Sequence, residues 1–156
     1  MKEAKTRYEN LRKKYHLPRL EELIREFAVK LEEPNLVLYE IIERIKEKFH
    51  NRARILESII FVASSSDASS MYETKMLEEK RGEMFKIFKE LMSIAWKGEK
   101  VEASANEKEM ATFIRESYEH WINGMKKEYI DICESAEKKW KDASLGERPE
   151  EMMYHG

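Results

Sequence analysis

Glutamine is absent from this 156-residue chain, and cysteine, proline, glycine and aspartate are scarce. Each shortage excludes something. The single cysteine, Cys133, rules out an internal disulfide framework and an all-thiolate zinc site. There is no glycine-rich phosphate loop, no serine nucleophile elbow and no cysteine-pair motif, so no cofactor is expected. Long apolar runs are also missing. The longest stretches are far too short to span a bilayer. Met1-Lys2-Glu3-Ala4-Lys5 leads into no apolar segment of the signal-peptide kind. A cytoplasmic location is the expectation. The formal net charge is −2, so a bulk basic field is lacking and nucleic acid is not an expected partner.

What is present is charge of both signs and enough apolar material for a core. Charged residues make up 38% of the chain, well above the roughly 25% of ordinary soluble domains. Hydrophobic residues reach 42%, which argues against disorder. Glutamate and lysine supply most of the charge, and aspartate occurs only at Asp67, Asp131 and Asp142. Straight-chain charged residues lose little rotamer freedom in a helix, whereas aspartate competes for backbone hydrogen bonds. The composition therefore favours helix. Abundant Glu and Lys with no Gln and one Cys also matches the surface ion-pair networks of hyperthermophile proteins. Thermal unfolding followed by circular dichroism is expected to have a midpoint above about 80 °C. A midpoint near about 50 °C, ordinary for mesophile domains, would refute the thermophile inference.

The apolar residues recur at helical spacing. Ala4, Tyr8, Leu11 and Tyr15 predict a helix over residues 2–15. His16-Leu17-Pro18 ends it, because the residue before proline avoids helical geometry. A second helix starts at Pro18 and buries Leu20, Leu23, Ile24, Phe27 and Leu31. Pro34 breaks the chain again. A long third helix follows from about Asn35 to Ala63, its stripe carried by Leu38, Ile42, Ile45, Phe49, Leu56 and Ile59. Residues 64–70 are rich in serine and predict a loop, with Ser70 and Glu73 spaced as a capping box. The fourth helix is predicted over Met71 to Lys97, burying Phe85, Phe88, Leu91, Met92, Ala95 and Trp96, with Gly98 as its stop. Asn106 caps a last helix that runs to about Lys141. Its stripe, from Met110 through Trp121 to Trp140, repeats every eleven residues, close to the pitch of a straight helix. The fold class is thus all-α: an elongated bundle of about five helices, two of them long. Residues 1–143 form the bundle domain, and 144–156 are expected to be a mobile tail open to proteolysis.

Three patterns carry candidate chemistry. Glu47 and His50 have the Glu-x-x-His spacing of carboxylate metal bundles, which need two such motifs and two further glutamates. At about 100° per residue, both point roughly 120° or more away from the apolar stripe of their helix, toward solvent. Arg44, Lys48 and Arg52 form a basic stripe at four-residue steps that could meet phosphates. Glu40, Glu43 and Glu47 stand among them and are placed to pair with them. Arg115 and His120, and also Arg44 and His50, have an Arg-x4-His or Arg-x5-His form similar to the short motif of HEPN-type ribonucleases. Those are dimeric helical bundles. The resemblance implies that such an arginine and histidine handle the 2′-hydroxyl and scissile phosphate. Glu116 and Ile45 stand where the family has a polar amide or histidine, and Glu116 would repel phosphate.

Lys14-Tyr15-His16-Leu17-Pro18 followed by Leu20-Glu21-Glu22-Leu23 resembles the opening of a group of small, uncharacterised archaeal all-helical proteins. The stretch from Phe113 to Trp121 is similar in style. That resemblance implies an archaeal, cytoplasmic origin and carries no functional residue. The leading expectation is a non-enzymatic interaction or scaffold protein. A HEPN-like ribonuclease and a carboxylate/His metal bundle are the alternatives. The last helix, roughly 54 Å long at 1.5 Å per residue, is expected to protrude. Either a symmetric dimer or the first helix folding back would then cover its Trp140 end.

Overall fold

The computed structural model describes residues 2–61 and 68–144, and every regular element among them is helical. The all-α bundle is therefore established. In chain order the helices are α1 (Lys2–Tyr15), α2 (Leu20–Phe27), α3 (Val37–Ile60), α4 (Ala68–Met76), α5 (Arg81–Ser104), α6 (Glu107–His120) and α7 (Lys126–Asp142). Short 3-10 turns lead into α3 at Pro34–Leu36 and into α5 at Glu78–Lys80. A π-helical turn, Trp121–Met125, joins α6 to α7. No helix of the described residues is long and apolar enough to cross a membrane. The expected tail and most of the serine loop lie outside the described residues.

Helix α3 is the spine. It runs along α5 and also touches α1, α2, α4 and α6. Ten of its residues are buried, among them Ile41, Ile42, Ile45, Phe49 and Ala53 at 0% exposure. Burying side chains of this size stabilises by about 1.5–3 kcal/mol each, so this stripe dominates the packing energy. The proline and cap signals act as expected. His16 takes a left-handed conformation (φ 57°) and stops α1 before Pro18. Asn106 Oδ1 accepts the Glu109 amide at 3.0 Å and opens α6. Glu107 then ties α6 to α1, accepting from Tyr15 Oη at 2.6 Å, Arg7 at 3.1 Å and Lys14 at 3.3 Å.

Five expectations need correction. Gly98 is not a stop: α5 continues to Ser104, and Gly98 is buried inside it against the Lys46 stem and the Phe113 ring. Helix α4 starts at Ala68, two residues before the predicted cap position 70. Phe85 and Trp96 do not join the core, being 40% and 69% exposed. Ile24, predicted on the buried face of α2, is 46% exposed, while Glu26 on the same helix is buried. Finally, within the chain it is α4 and not α1 that packs on the far end of α7. Helix α4 lies there: the Tyr72 ring stacks on Trp140 at 4.8 Å, and Trp140 Nε1 donates to Glu73 at 3.0 Å.

Candidate functional site

The two places that stand out are a buried charged centre at the α6–α7 kink and a partly bare apolar face on α3 and α5. The first arises because α6 and α7 do not form one straight helix. Asn123 and Gly124 leave helical geometry, with Gly124 at φ 157°, ψ −44°, a conformation open to glycine and strained for any residue with a Cβ. Kinks of this π type recur at functional sites. Here the kink turns Trp121 inward, 3% exposed, against Phe49 and Tyr129. Trp121 Nε1 donates to Glu26 Oε1 at 3.0 Å, and Lys126 Nζ donates to Glu26 Oε2 at 2.9 Å. Arg25 donates to the same Oε2 at 3.1 Å. Burial alone would push the Glu26 carboxyl up. The bonds from Lys126, Trp121 and Arg25 outweigh it and hold Glu26 below the ordinary carboxylate range.

Arg52 completes this centre. Its guanidinium lies 4.4 Å from the Trp121 ring, a cation–π contact, and its Nη1 is buried without a hydrogen-bond partner among the described residues. Burial lowers the pKa of the group, and the nearby Glu26 carboxylate opposes that. The centre holds fixed charges in a packed setting. It joins α2, α3 and α7 and serves as a clamp on the kink.

Of the sequence-derived candidates, Arg115 and His120 have different surroundings, whereas Glu47 and His50 line one groove. Arg115 Nη1 donates to the Tyr15 carbonyl at 2.8 Å, where a cation suits the C-terminus of α1. His120 sits instead on the groove between α5 and α6, 3.7 Å from Glu90. That groove, about 580 Å³, also holds a Lys97–Glu116 pair at 3.3 Å, so its charges are largely matched within the chain. Arg44 donates to the Ala28 carbonyl and to Glu47. Lys48 is half-buried, and Arg52 faces Trp121, so the three do not share an open basic face. Glu47 and His50 are both exposed. Among the described residues no group of three or more His, Cys, Asp and Glu side chains is arranged to hold a metal. Replacing His50 or His120 by Ala is expected to change the unfolding free energy by less than about 0.5 kcal/mol. A loss several times larger in denaturant titration would show that either side chain carries structure.

The second place is the outer face of the α3–α5 pair. Phe85, Met92, Trp96 and Glu99 fall within about 60° of one another around α5, at 100° per residue. Phe61, Phe85 and Phe88 cluster at one end, with ring centroids 5.7–6.4 Å apart. At the other end a groove of about 480 Å³ is lined by Met92, Ala95 and Trp96 from α5 and by His50, Glu43 and Glu47 from α3. Under it lies Lys46, whose Nζ meets Glu99 at 2.6 Å, Glu102 at 3.0 Å and Glu43 at 3.4 Å. These three carboxylates overcome the effect of burial and raise the Lys46 pKa.

No family model, curated protein or solved structure matches this chain. Trp96 at 69% exposure is the feature that composition and periodicity missed, since helical spacing alone placed it in the core. Its flanking charges, Lys97 on one side and Glu99 three residues on, were the available sign of a boundary position.

Proposed function

We propose that this chain is a non-enzymatic interaction protein that works through the α3–α5 face. The observation that carries this is Trp96: the largest side chain type stands mostly bare beside Met92, with Phe85 one end of the stripe and Phe61 behind it. Trp, Phe and Met are enriched at protein interfaces, and Trp is the commonest residue to dominate their energy. A contiguous exposed apolar patch rimmed by charge is an association signal rather than an ordinary monomer surface. Arg115 and His120 have separate surroundings, so that pair lends no support to the catalytic alternative.

Hydroxyl-radical footprinting tests this reading. Met92, Trp96 and Phe85 are oxidised readily when wet. Their labelling is expected to be several-fold lower in an extract of the source cells than in the purified chain at nanomolar concentration. Equal labelling in both settings would mean that nothing covers the face, and the interaction reading would fall.

A further inference from the structure

We infer that the occupant of this face is a second copy of the same chain, docked about a two-fold axis with its α5 antiparallel to the first. The inference rests on the interaction reading above and names its partner. A two-fold interface must be self-complementary, so each feature has to find its match within one copy. The α5 face meets that demand in both apolar and charged residues. Phe85 and Trp96 are equidistant from the point between Glu90 and Leu91. An axis there seats each Phe85 ring against the other copy's Trp96 indole and brings Lys89 over Met92.

Charge is divided across the same point. The end nearer the start of α5 carries Arg81 and Lys89, with Arg54 of α3 beside them and Glu57 in partial opposition, all exposed. Arg81 Nη2 also donates to the Ile60 carbonyl at 2.9 Å, which holds its guanidinium at the end of α3, and Lys89 Nζ lies 5.5 Å from the Phe85 ring centre. The other end carries Glu99 with Glu43 and Glu47 of α3, set against Lys46 and Arg44. The first end has an excess of cations and the second an excess of carboxylates. Antiparallel docking brings Arg81 close to the partner's Glu99 and the reverse, whereas parallel docking would set like charges together. Complementarity of this kind steers encounter and fixes register.

The size is also sufficient. Helix α5 has 24 residues, so the pair presents a face about 36 Å long. Two helices packed 8–10 Å apart make it roughly 20 Å wide. That is roughly 700 Å² per copy, close to the ~800 Å² per partner of a standard interface. The α7 end is the weaker claim: Trp140 is 43% exposed but already stacks on Tyr72, whereas Trp96 is 69% exposed.

Sedimentation velocity on the full chain from about 1 to 100 µM provides the test, with circular dichroism to confirm that each variant is folded. The expected mass at the upper end is twice the 18.7 kDa of one chain. Trp96→Glu, at a site that supports no core packing, is expected to weaken the dimer at least about 100-fold. Arg81→Glu and Glu99→Arg are each expected to weaken it about tenfold, and the two together in one chain to restore most of the loss, because the swap re-creates both cross-axis pairs. Three results would overturn the inference: a monomer mass throughout, a dimer indifferent to Trp96→Glu, or a double swap no tighter than the singles. A monomer whose Trp96 is nevertheless shielded in cell extract would remove the second copy while the interaction reading stands. A monomer whose Trp96 is open in both settings would remove both.

Discussion

Glu26→Ala is expected to lower the unfolding free energy by about 3 kcal/mol, since removing one member of a buried charged cluster strands the others. The loss has three sources. Trp121 Nε1, 3% exposed as a residue, would be left without its acceptor at 3.0 Å. Arg52, already short of a partner at Nη1, would lose the carboxylate that offsets its burial. Lys126 is 38% exposed and can turn to water, which keeps the total near the lower end of the range for broken buried pairs. In a chain of this length each kcal/mol moves the thermal midpoint by about 2–4 °C, so a drop of about 10 °C is expected. A change under about 1 kcal/mol in urea titration would show that the cluster is decoration on a kink held by packing alone.

The same residue predicts a pH dependence. The folded-state pKa of Glu26 is depressed, so the unfolded chain takes up its proton first as acid is added. Its contribution to stability is therefore full above the ordinary carboxylate range and is lost as pH falls from about 4.5 through the lower folded value. Glu26→Gln keeps an acceptor for Trp121 and removes the titration. That variant is expected to be less stable than the parent at pH 7, with the gap closing as the solution is acidified.

Much of the fold was legible in the sequence because backbone rules act locally. Pro18, Pro34 and Asn106 each mark a helix boundary by excluding or supplying one hydrogen bond, and each does so here. Buried stripes were legible where a helix has one buried face, as on α3. They failed on α5, whose apolar residues go nearly around the helix. Ile87 and Leu91 face the core, Phe85 and Trp96 face out, and spacing alone does not rank the two faces. The π turn at Trp121–Met125 escaped for a related reason. An eleven-residue apolar repeat passes through it unbroken, and Gly124 was the one local sign that the backbone departs from it. Glu26 was illegible in principle. Its acceptor role depends on Trp121 and Lys126, 95 and 100 residues away, and no local pattern reports a long-range partner. The separation of Arg115 from His120 is legible in hindsight: five residues turn a helix by about 140°, so the two side chains leave on different sides.

The two glycines of α5 test how close packing, rather than helix propensity, sets its stability. In a helix interior Ala is better than Gly by about 0.5–1 kcal/mol. Gly82 lies in the first turn, and a Cβ there would meet nothing within 4 Å. Gly82→Ala is accordingly expected to stabilise by about 0.5 kcal/mol. A Cβ on Gly98 would stand 2.7 Å from Lys46 Cγ and 2.9 Å from Phe113 Cζ. Neither neighbour gives way cheaply. The Lys46 stem is held by the bonds of its Nζ to Glu99 and Glu102, and Phe113 is 2% exposed in the core. Gly98→Val adds two further methyl groups and a β-branched side chain in the same place. Overpacking of this kind forces side chains off their rotamers and shifts backbone, at about 1–3 kcal/mol, and here the α3–α5 seam must open to admit it. The expected loss is about 3 kcal/mol, opposite in sign to the change at Gly82. The Lys46 cluster underlies the acidic end of the α3–α5 face, so the same variant is expected to loosen self-association as well as the fold. If Gly98→Val unfolded at the same denaturant concentration as the parent, the close approach of α5 to α3 and α6 at that point would be wrong.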